Sequence, residues 1–330
     1  MPSPDCKLLL RCVAILSNFL LRRDPPGDGG EAICRLAYRD ELTACLRMIL
    51  SASYKPADDE QILDFLRMAV HRAIDLNRMW LVERRGKLVW AILPVVSPGR
   101  TMLLLTPNLP PKDAQESAAR MLISRVVEHY THERIQLAHA MLDPGDATSL
   151  RLFVASGFHK LAELVYLQKT VRGSETLPPL AASQTLLAYS AGTHDLFAKT
   201  IVSSYEDSLD CPALNGVRHV EDVIAGHKGT GEHDPRLWML LMENTRPAAT
   251  LLLSRTPRSD AMELVYLGVA PNSRGKGLGD LLVRQALAMT AREGLSRLTL
   301  AVDGQNPPAL RVYYRNGMTR HCTKIAMLKS

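Results

Sequence analysis

One sequence pattern occurs twice in this chain of 330 residues, at a constant spacing. The segment 143–158 (DPGDATSLRLFVASGF) matches 303–318 (DGQNPPALRVYYRNGM), so that Asp143 corresponds to Asp303 at an offset of 160 residues. The same offset relates Lys169 to Lys329, the lysines that end the apolar runs after each segment. Because 160 residues exceed the repeat length of any solenoid unit, the pattern indicates a duplicated domain.

Both copies follow one order of predicted elements. Hydrophobic periodicity predicts a strand, two helices, a hairpin, a strand, a long helix, a strand, a short helix and a final strand. In the second copy we expect strands at 185–189, 263–270, 298–302 and 319–329, a hairpin over 238–255, and helices at 195–204, 220–227, 277–293 and 309–315. The segment 171–183, rich in Pro, Ser, Gly and Thr, reads as a linker. The predicted division is an extension at 1–30, a first domain at 31–170, the linker, and a second domain at 184–330.

Composition excludes several classes of protein. Hydrophobic residues make up 46% and charged residues 22%, which is ordinary for a globular chain. The net charge is +6, but the basic residues are scattered and only 5% of residues are aromatic, so no nucleic-acid partner is expected. The six cysteines form no C-x-x-C pair and no Cys/His cluster with zinc spacing, which favours a cytoplasmic chain without a metal. The apolar stretch at 7–23 is too short to cross a bilayer, so no membrane partner is expected either.

A glycine-rich loop is the sharpest functional signal. The run VAPNSRGKGLG at 269–279 lies between a predicted strand and a predicted helix, with Gly275, Gly277 and Gly279 leaving backbone N–H groups unobstructed. The helix that begins there adds the positive end of its dipole, which suits a pyrophosphate, and Arg274 and Lys276 add positive charge at the rim. A dinucleotide fingerprint would need glycine at 280, where aspartate stands, and no G-K-[ST] of a Walker loop is present.

The loop and a later segment together resemble the GNAT superfamily of acyl-CoA-dependent N-acyltransferases. Arg274, Gly277 and Gly279 fit that family's [Q/R]-x-x-G-x-[G/A] pattern. Its N-x-x-A-x-x-x-Y segment, with a glycine four residues on, is matched by Asn306, Ala309, Tyr313 and Gly317. The resemblance covers 184–330 well and 31–170 in outline.

The resemblance implies an α/β fold of the α+β type. We expect two GNAT-like domains, each a mixed, mostly antiparallel twisted sheet flanked by helices. It also implies acetyl-CoA as the acyl donor, held where neighbouring strands splay. The expected contacts are Leu267, Gly268, Val269, Arg274, Gly275, Lys276, Gly277, Leu278, Gly279 and Asn306. Asn306 has a second possible role as the cap of the next helix.

Acyl transfer to an amine needs a base for the amine and an acid for the departing thiolate. Tyr313 is the candidate acid, and the alternative is a tyrosine that only packs on an amphipathic helix. Glu263 occupies the position at which many GNAT enzymes place a carboxylate base, acting directly or through water; the alternative is a solvated strand residue.

The first copy lacks these parts. Its corresponding loop, 106–117, contains no glycine and carries Pro107, Pro110 and Pro111, which have no N–H to offer a phosphate. Phe153 stands in place of the tyrosine, and Asp146 in place of the asparagine. The first domain is therefore expected to be structural or to shape the substrate site.

The resulting hypothesis is a GNAT-like N-acetyltransferase, active in its second domain, that moves an acetyl group from acetyl-CoA to an unidentified amine. The alternative is a non-catalytic acyl-CoA-binding regulatory module. The chain is expected to be a monomer or a homodimer. The acceptor channel of this fold is largely built by the segment 204–231, whose acidic residues Glu206, Asp207 and Asp210 either attract a cationic amine or form a solvated surface run.

Overall fold

The computed structural model describes residues 31–51, 55–107, 113–257 and 259–330. The predicted extension at 1–30 and residues 108–112 of the proline-bearing loop lie outside these ranges. The first half contains strands β1 (Ala32–Leu36), β2 (Trp80–Arg84), β3 (Lys87–Ser97), β4 (Thr101–Leu105), β5 (Leu137–Leu142) and β6 (His159–Thr170). Its helices are α1 (Leu42–Leu50), α2 (Asp59–His71), α3 (Asp113–His132) and α4 (Ala147–Ala155).

The second half repeats this order. Its strands are β7 (Gln184–Ala188), β8 (Trp238–Glu243), β9 (Arg246–Arg255), β10 (Ala261–Val269), β11 (Arg297–Asp303) and β12 (Thr319–Lys329). Its helices are α5 (His194–Ser204), α6 (Val220–Lys228), α7 (Leu278–Arg292) and α8 (Pro307–Arg315). Short 3-10 turns occur at Arg39–Glu41, Leu76–Arg78, Pro212–Leu214, Pro235–Leu237 and Pro271–Ser273. Every element expected in this half is present, and the fold class is the expected mixed α/β one.

All twelve strands join one sheet, in the order β1-β2-β3-β4-β5-β12-β6-β11-β10-β9-β8-β7. The terminal strand of each half is exchanged: β12 pairs antiparallel with β5 of the first half, and β6 pairs antiparallel with β11 of the second. The exchanged strands also pair with each other from Thr319↔Gln168 to Leu328↔His159. Each half therefore completes the sheet of the other, which the sequence repeat did not reveal. The domain boundaries at 31–170 and 184–330, which follow from the sequence repeat, therefore remain a prediction.

A repeated contact supports each exchanged strand at its end. Gly157 and Gly317 follow α4 and α8 with φ of 84° and 80°, the left-handed region that favours glycine. A Cβ on Gly157 would lie 3.2 Å from the Lys329 Nζ, and one on Gly317 would lie 3.6 Å from the Lys169 Cε. The Lys329 ammonium donates to the Ser156 carbonyl at 2.8 Å. The repeated lysines and glycines thus fit the end of one half's strand against the last helix of the other.

The two halves also meet at the turn between β3 and β4. The Arg218 Nη2 of the second half donates to the Gly99 carbonyl at 2.9 Å and to the Asp222 carbonyl at 2.8 Å. Arg100 forms an ion pair with Asp222 on α6, at 2.9 Å between nitrogen and oxygen. The segment leading into α6 is therefore held by the first half.

Helices cover both faces of the sheet. Alternation along β9 sends Leu251 and Leu253 to a core beneath α7, and Leu252 to a core beneath α5 and α6. In β3, Ile92 packs in the α3 core, whereas Leu93 packs in the core of α1 and α2. No described helix is long and apolar enough to cross a membrane.

Strands β10 and β11 are parallel neighbours that separate along their length. They pair only from Ala261↔Arg297 to Glu263↔Thr299. On its other side β10 stays paired with β9 up to Val269, with a register shift between Leu264 and Tyr266. The strands splay beyond Glu263, and this opening positions the candidate site.

Candidate functional site

A cavity of about 580 Å³ opens where β10 and β11 splay. Its walls come from β10, the glycine loop, the start of α7, the segment after α5, and one face of α8. The expected contacts Leu267, Gly268, Val269, Arg274, Gly275, Gly277, Leu278, Gly279 and Asn306 all line it, together with Tyr313. The structure thus brings together nearly all of the predicted binding residues, and Lys276 lies beside them in an adjoining depression.

The glycine loop has the backbone shape that its sequence suggests. Gly275 and Gly277 adopt φ of 78° and 81°, and Gly277 caps the N-terminus of α7. The Leu281 N–H donates to the Gly277 carbonyl at 3.0 Å. The N–H groups of residues 278–280, the first in the helix, have no partner within it. Residues 278–280 line the cavity, so an anion bound there would lie at the positive end of the helix dipole.

Basic side chains stand at the outer edge of this loop. Arg284 and Arg315 approach Asp280 at 3.3 Å and 3.2 Å, and both line the adjoining depression. Lys276 lies 3.1 Å from the Glu243 carboxylate. The linker residues Pro179 and Ala181 border the same depression. These cations suit further phosphate groups beyond the pyrophosphate position.

Arg274 has a different position from the one expected. We expected mobile positive charge at the rim, but its guanidinium donates to the backbone carbonyls of Val269, Ser204, Glu206 and Asp207 at 2.6–3.4 Å. Three of these carbonyls lie at and just after the C-terminal end of α5, where helical carbonyls are left without partners. Arg274 therefore joins the glycine loop to the segment that follows α5.

Tyr313 is buried, with 7% of its surface exposed, and lines the cavity from α8. Burial raises the pKa of its hydroxyl, and the nearby Asp210 raises it further. A phenol in this state remains protonated at neutral pH and is able to donate a proton. Its counterpart Phe153 is fully buried and packs edge to face against Phe158, with ring centroids 5.0 Å apart.

Gly268 permits a close approach at the cavity wall. A Cβ there would lie 2.5 Å from the Ser204 Oγ and 2.7 Å from the Tyr266 hydroxyl, so no larger residue fits. Ser204 and Tyr266 are joined by a hydrogen bond of 2.6 Å between their hydroxyl oxygens. The His227 ring lies against Tyr266 at 5.3 Å between centroids, and burial lowers its pKa to about 4. Tyr266 and Ser204 belong to no motif, so residue type and spacing alone do not identify their hydroxyl groups as part of the site.

Glu263 does not line the cavity. It lies where the pairing of β10 with β11 ends, opposite Thr299. Burial raises the pKa of its carboxyl, and the positive charge of Arg72 from the first half opposes that rise. Burial raises the pKa of Tyr166 on the exchanged strand β6, and the charges of Cys322 and Glu263 raise it further. Glu263 therefore lies at the seam between the halves, near the inner end of the splay.

Asp210 was expected in either an amine-attracting cluster or a solvated run, and the structure places it at the cavity. Its carboxylate accepts from the Asp303 N–H at 3.2 Å, at the end of β11. Asp303 in turn accepts from the backbone N–H groups of Cys211 and Gln305 at 3.1 Å and 2.8 Å. This exchange of hydrogen bonds fixes the 205–211 segment over the splay. Burial raises the pKa of the Cys211 thiol to about 12, which leaves it unreactive at neutral pH.

Asn306 caps α8, since its side chain accepts from the Ala309 N–H at 3.2 Å. Asp146 caps α4 in the same way, accepting from the Ser149 N–H at 2.9 Å. The capping role is therefore common to both halves. Within the described residues, no group of three or more His, Cys, Asp and Glu side chains is placed to hold a metal.

Comparisons with known proteins converge on one family. Residues 204–318 match the family model described as the acetyltransferase (GNAT) family. A mycothiol acetyltransferase from Amycolatopsis mediterranei is 41% identical over 207 residues, which cover 58% of this chain and 66% of that protein. The matches to this and two other mycothiol acetyltransferases span only 35–66% of those proteins' own lengths.

Two solved structures share the fold over nearly the whole chain. A GCN5-related N-acetyltransferase from Sphaerobacter thermophilus superposes with a TM-score of 0.60 at 17% identity, covering 90% of this chain and 95% of that one. A tandem GNAT protein from the clavulanic acid biosynthesis pathway superposes with a TM-score of 0.53 at 16% identity, covering 91% and 98%. This chain is therefore similar in sequence to mycothiol acetyltransferases and in fold to a tandem GNAT protein.

Proposed function

Because residues 204–318 match the model of the acetyltransferase (GNAT) family, we propose that this chain is an acetyl-CoA-dependent N-acetyltransferase with its active site in the second half. The observation that carries the proposal is the cavity at the splay of β10 and β11, bordered by both the glycine loop and Tyr313. A donor held by that loop would then lie in the same cavity as a group that can act as an acid.

The donor would lie along β10 with its pyrophosphate at the start of α7. The left-handed glycines Gly275 and Gly277 and the first N–H groups of α7 form the anion cradle. Lys276, Arg284 and Arg315 would receive the outer phosphate of CoA. The strand edge at Leu267–Val269, which has no pairing with β11, offers backbone groups to the pantetheine and an N–H to the thioester carbonyl.

Transfer requires protonation of the departing sulfur. Tyr313 is assigned this role because its hydroxyl borders the cavity and stays protonated at neutral pH. Glu263 is assigned the role of a remote carboxylate that receives a proton through water, since it lies near the splay but does not line the cavity.

The acceptor is a primary amine reaching the cavity from the segment between α5 and α6. The curated relatives are mycothiol acetyltransferases, so an acceptor screen should include the amine that such an enzyme acetylates, beside amino sugars, amino acids and polyamines. Release of the CoA thiol reports turnover. Binding of CoA without thiol release for any amine would instead support a regulatory acyl-CoA-binding module.

Calorimetry tests the location of the donor site. We expect one CoA per chain, because the second half alone combines the glycine cradle with the basic rim. Gly277→Glu should abolish detectable binding, since it places a negative charge at the anion cradle and forces a side chain into a left-handed conformation.

Gly86→Glu is the matched control. Gly86 has φ of 68° in the hairpin of the first half, and a Cβ on either glycine meets nothing within 4 Å. The backbone strain of a glutamate in the left-handed region is therefore the same in the two variants. The negative charge of Gly86→Glu, however, lies far from the glycine loop. Two equivalent sites per chain, or equal binding by the two variants, would contradict the assignment.

A further inference from the structure

We propose that Asp210 receives the proton of the incoming ammonium group and so selects amines that are cationic in solution. The proposal rests on the acetyltransferase function proposed above and assigns the direct base in its site.

Position separates Asp210 from the other carboxylates at the cavity. Asp280 lies at the outer rim and is paired with Arg284 and Arg315. The Asp207 carbonyl accepts from the guanidinium of Arg274, so a positive charge lies beside that residue. Asp210 lies over the end of β11, and its charge acts on Tyr205, Tyr266 and Tyr313, which come from three different walls of the cavity. It is thus the acidic group that shares the inner part of the cavity with the assigned acid.

One oxygen of Asp210 remains available. Its Oδ1 accepts from the Asp303 N–H, and within the described residues this is the only hydrogen-bond donor to the carboxylate. No described lysine or arginine forms an ion pair with it. The side chain is open to solvent through the cavity. The Oδ2 is therefore free to accept from an ammonium group that enters.

The surroundings make this carboxylate a stronger base than an ordinary aspartate. Desolvation by the surrounding protein raises its pKa, the hydrogen bond from the Asp303 N–H opposes that rise, and the charge of the neighbouring Asp303 adds to it. The charge of Asp210 also acts on the phenols of Tyr205, Tyr266 and Tyr313 and on the Cys211 thiol, all neutral at pH 7. The cation of Arg274 lines the same cavity, but it donates to backbone carbonyls and forms no ion pair with Asp210, so the carboxylate can pair with an incoming ammonium group.

The proton balance of the reaction is complete with these groups. An N–H bond of the ammonium breaks and its proton moves to the Asp210 Oδ2, which frees the nitrogen electron pair to attack the thioester carbon. The C–S bond then breaks, and the sulfur takes the proton of Tyr313. The second proton lost by the nitrogen returns to the Tyr313 oxygen, and Asp210 releases its proton to solvent.

The test compares Asp210→Asn, Asp210→Ala and the parent, with Glu206→Gln as control for the loss of one charge on the same segment. Asparagine keeps an Oδ1 that accepts from Asp303, so Asp210→Asn preserves the local fold but removes the base. With the primary amine returned by the screen, we expect kcat/KM to fall by about 10²-fold or more in both Asp210 variants at neutral pH. In both variants kcat/KM should fall steadily with decreasing pH over the whole range below the pKa of the amine, because only the neutral amine can then attack, whereas the parent should decline only where Asp210 itself becomes protonated and Glu206→Gln should follow the parent.

Hydroxylamine, which is largely unprotonated at neutral pH, provides the second measurement. With this nucleophile the Asp210 variants should approach the parent rate, because no proton has to be removed before attack. An Asp210→Asn variant that keeps the parent's pH profile while Asp210→Ala is impaired would assign a structural role and overturn the proposal. Failure of the parent to acetylate any amine would instead overturn the proposed function itself.

Discussion

Tyr313 and Phe153 occupy corresponding positions on the last helix of each half, but their surroundings differ. Tyr313 borders the cavity beside an acidic group, whereas Phe153 is enclosed and packs against Phe158. The helix caps, the left-handed glycines and the terminal lysines are the same in both halves. The features shared by the halves are therefore those that build the exchanged sheet, and the features that differ are those that we assign to the proposed donor site.

Separating the halves tests this comparison most severely. A fragment of 184–330 lacks β6, which lies between β11 and β12, so both strands would expose unpaired edges and apolar side chains. We expect this fragment to be insoluble or unable to bind CoA, as measured by size-exclusion chromatography and calorimetry.

Cleavage after folding is the matched control. A protease site placed within the linker at 174–178 of the full chain leaves every strand in the sheet once the chain has folded. The two pieces should then stay together on a sizing column and retain CoA binding. A soluble, fully active 184–330 fragment would refute the dependence of the second half on the first.

Removing the hydroxyl group at position 313 tests whether the two halves differ in chemistry. Tyr313→Phe keeps the ring and its packing, so we expect little change in CoA affinity but a fall in the transfer rate of ~10²–10⁴-fold, the usual range for general acid catalysis. The loss should shrink when the departing thiol is more acidic. A rate within about twofold of the parent, with chemistry rate-limiting, would make Tyr313 a packing residue.

The reciprocal substitution Phe153→Tyr is its control. It buries a hydroxyl at a fully enclosed position, which should cost about 1–3 kcal/mol of folding free energy and add no activity.

Glu263 gives the smallest expected effect. Its pKa is raised by burial, so its ionised form destabilises the folded state once the pH exceeds its ordinary pKa. Glu263→Gln should therefore raise the melting temperature slightly at pH 7 and leave it unchanged at pH 3, where the carboxyl is protonated in either state. As a remote base acting through water, its loss should slow transfer less than the loss of Asp210 does. If Glu263→Gln slowed transfer more than Asp210→Asn does, Glu263 would be the direct base and Asp210 the remote one.

Much of this arrangement was predictable from local sequence. The glycines at 275 and 277 require special backbone angles, and the spacing from Asn306 to Tyr313 follows a helix cap and its face, so each signal lies within a dozen residues. The strand exchange left no such signal. The alternating patterns of β6 and β12 are equally suited to pairing with the strands of either half, and some of their partners lie far along the chain. The hydrogen bonds from Arg274 to the segment after α5 and the position of Asp210 also depend on contacts between distant parts of the chain. Residue type and spacing do not encode such contacts.

The pairing of β12 with β5 has a consequence for biosynthesis. Ile325 pairs with Leu142, so the first half cannot complete its sheet until the ribosome has added about 180 more residues. At synthesis rates of ~5–20 residues per second, β5 would wait roughly 10–40 s with its edge unpaired. Over that interval the nascent chain presents a strand edge that other chains or chaperones can engage. Translation rate should therefore influence the yield of native protein more strongly here than in a chain whose first half closes on itself.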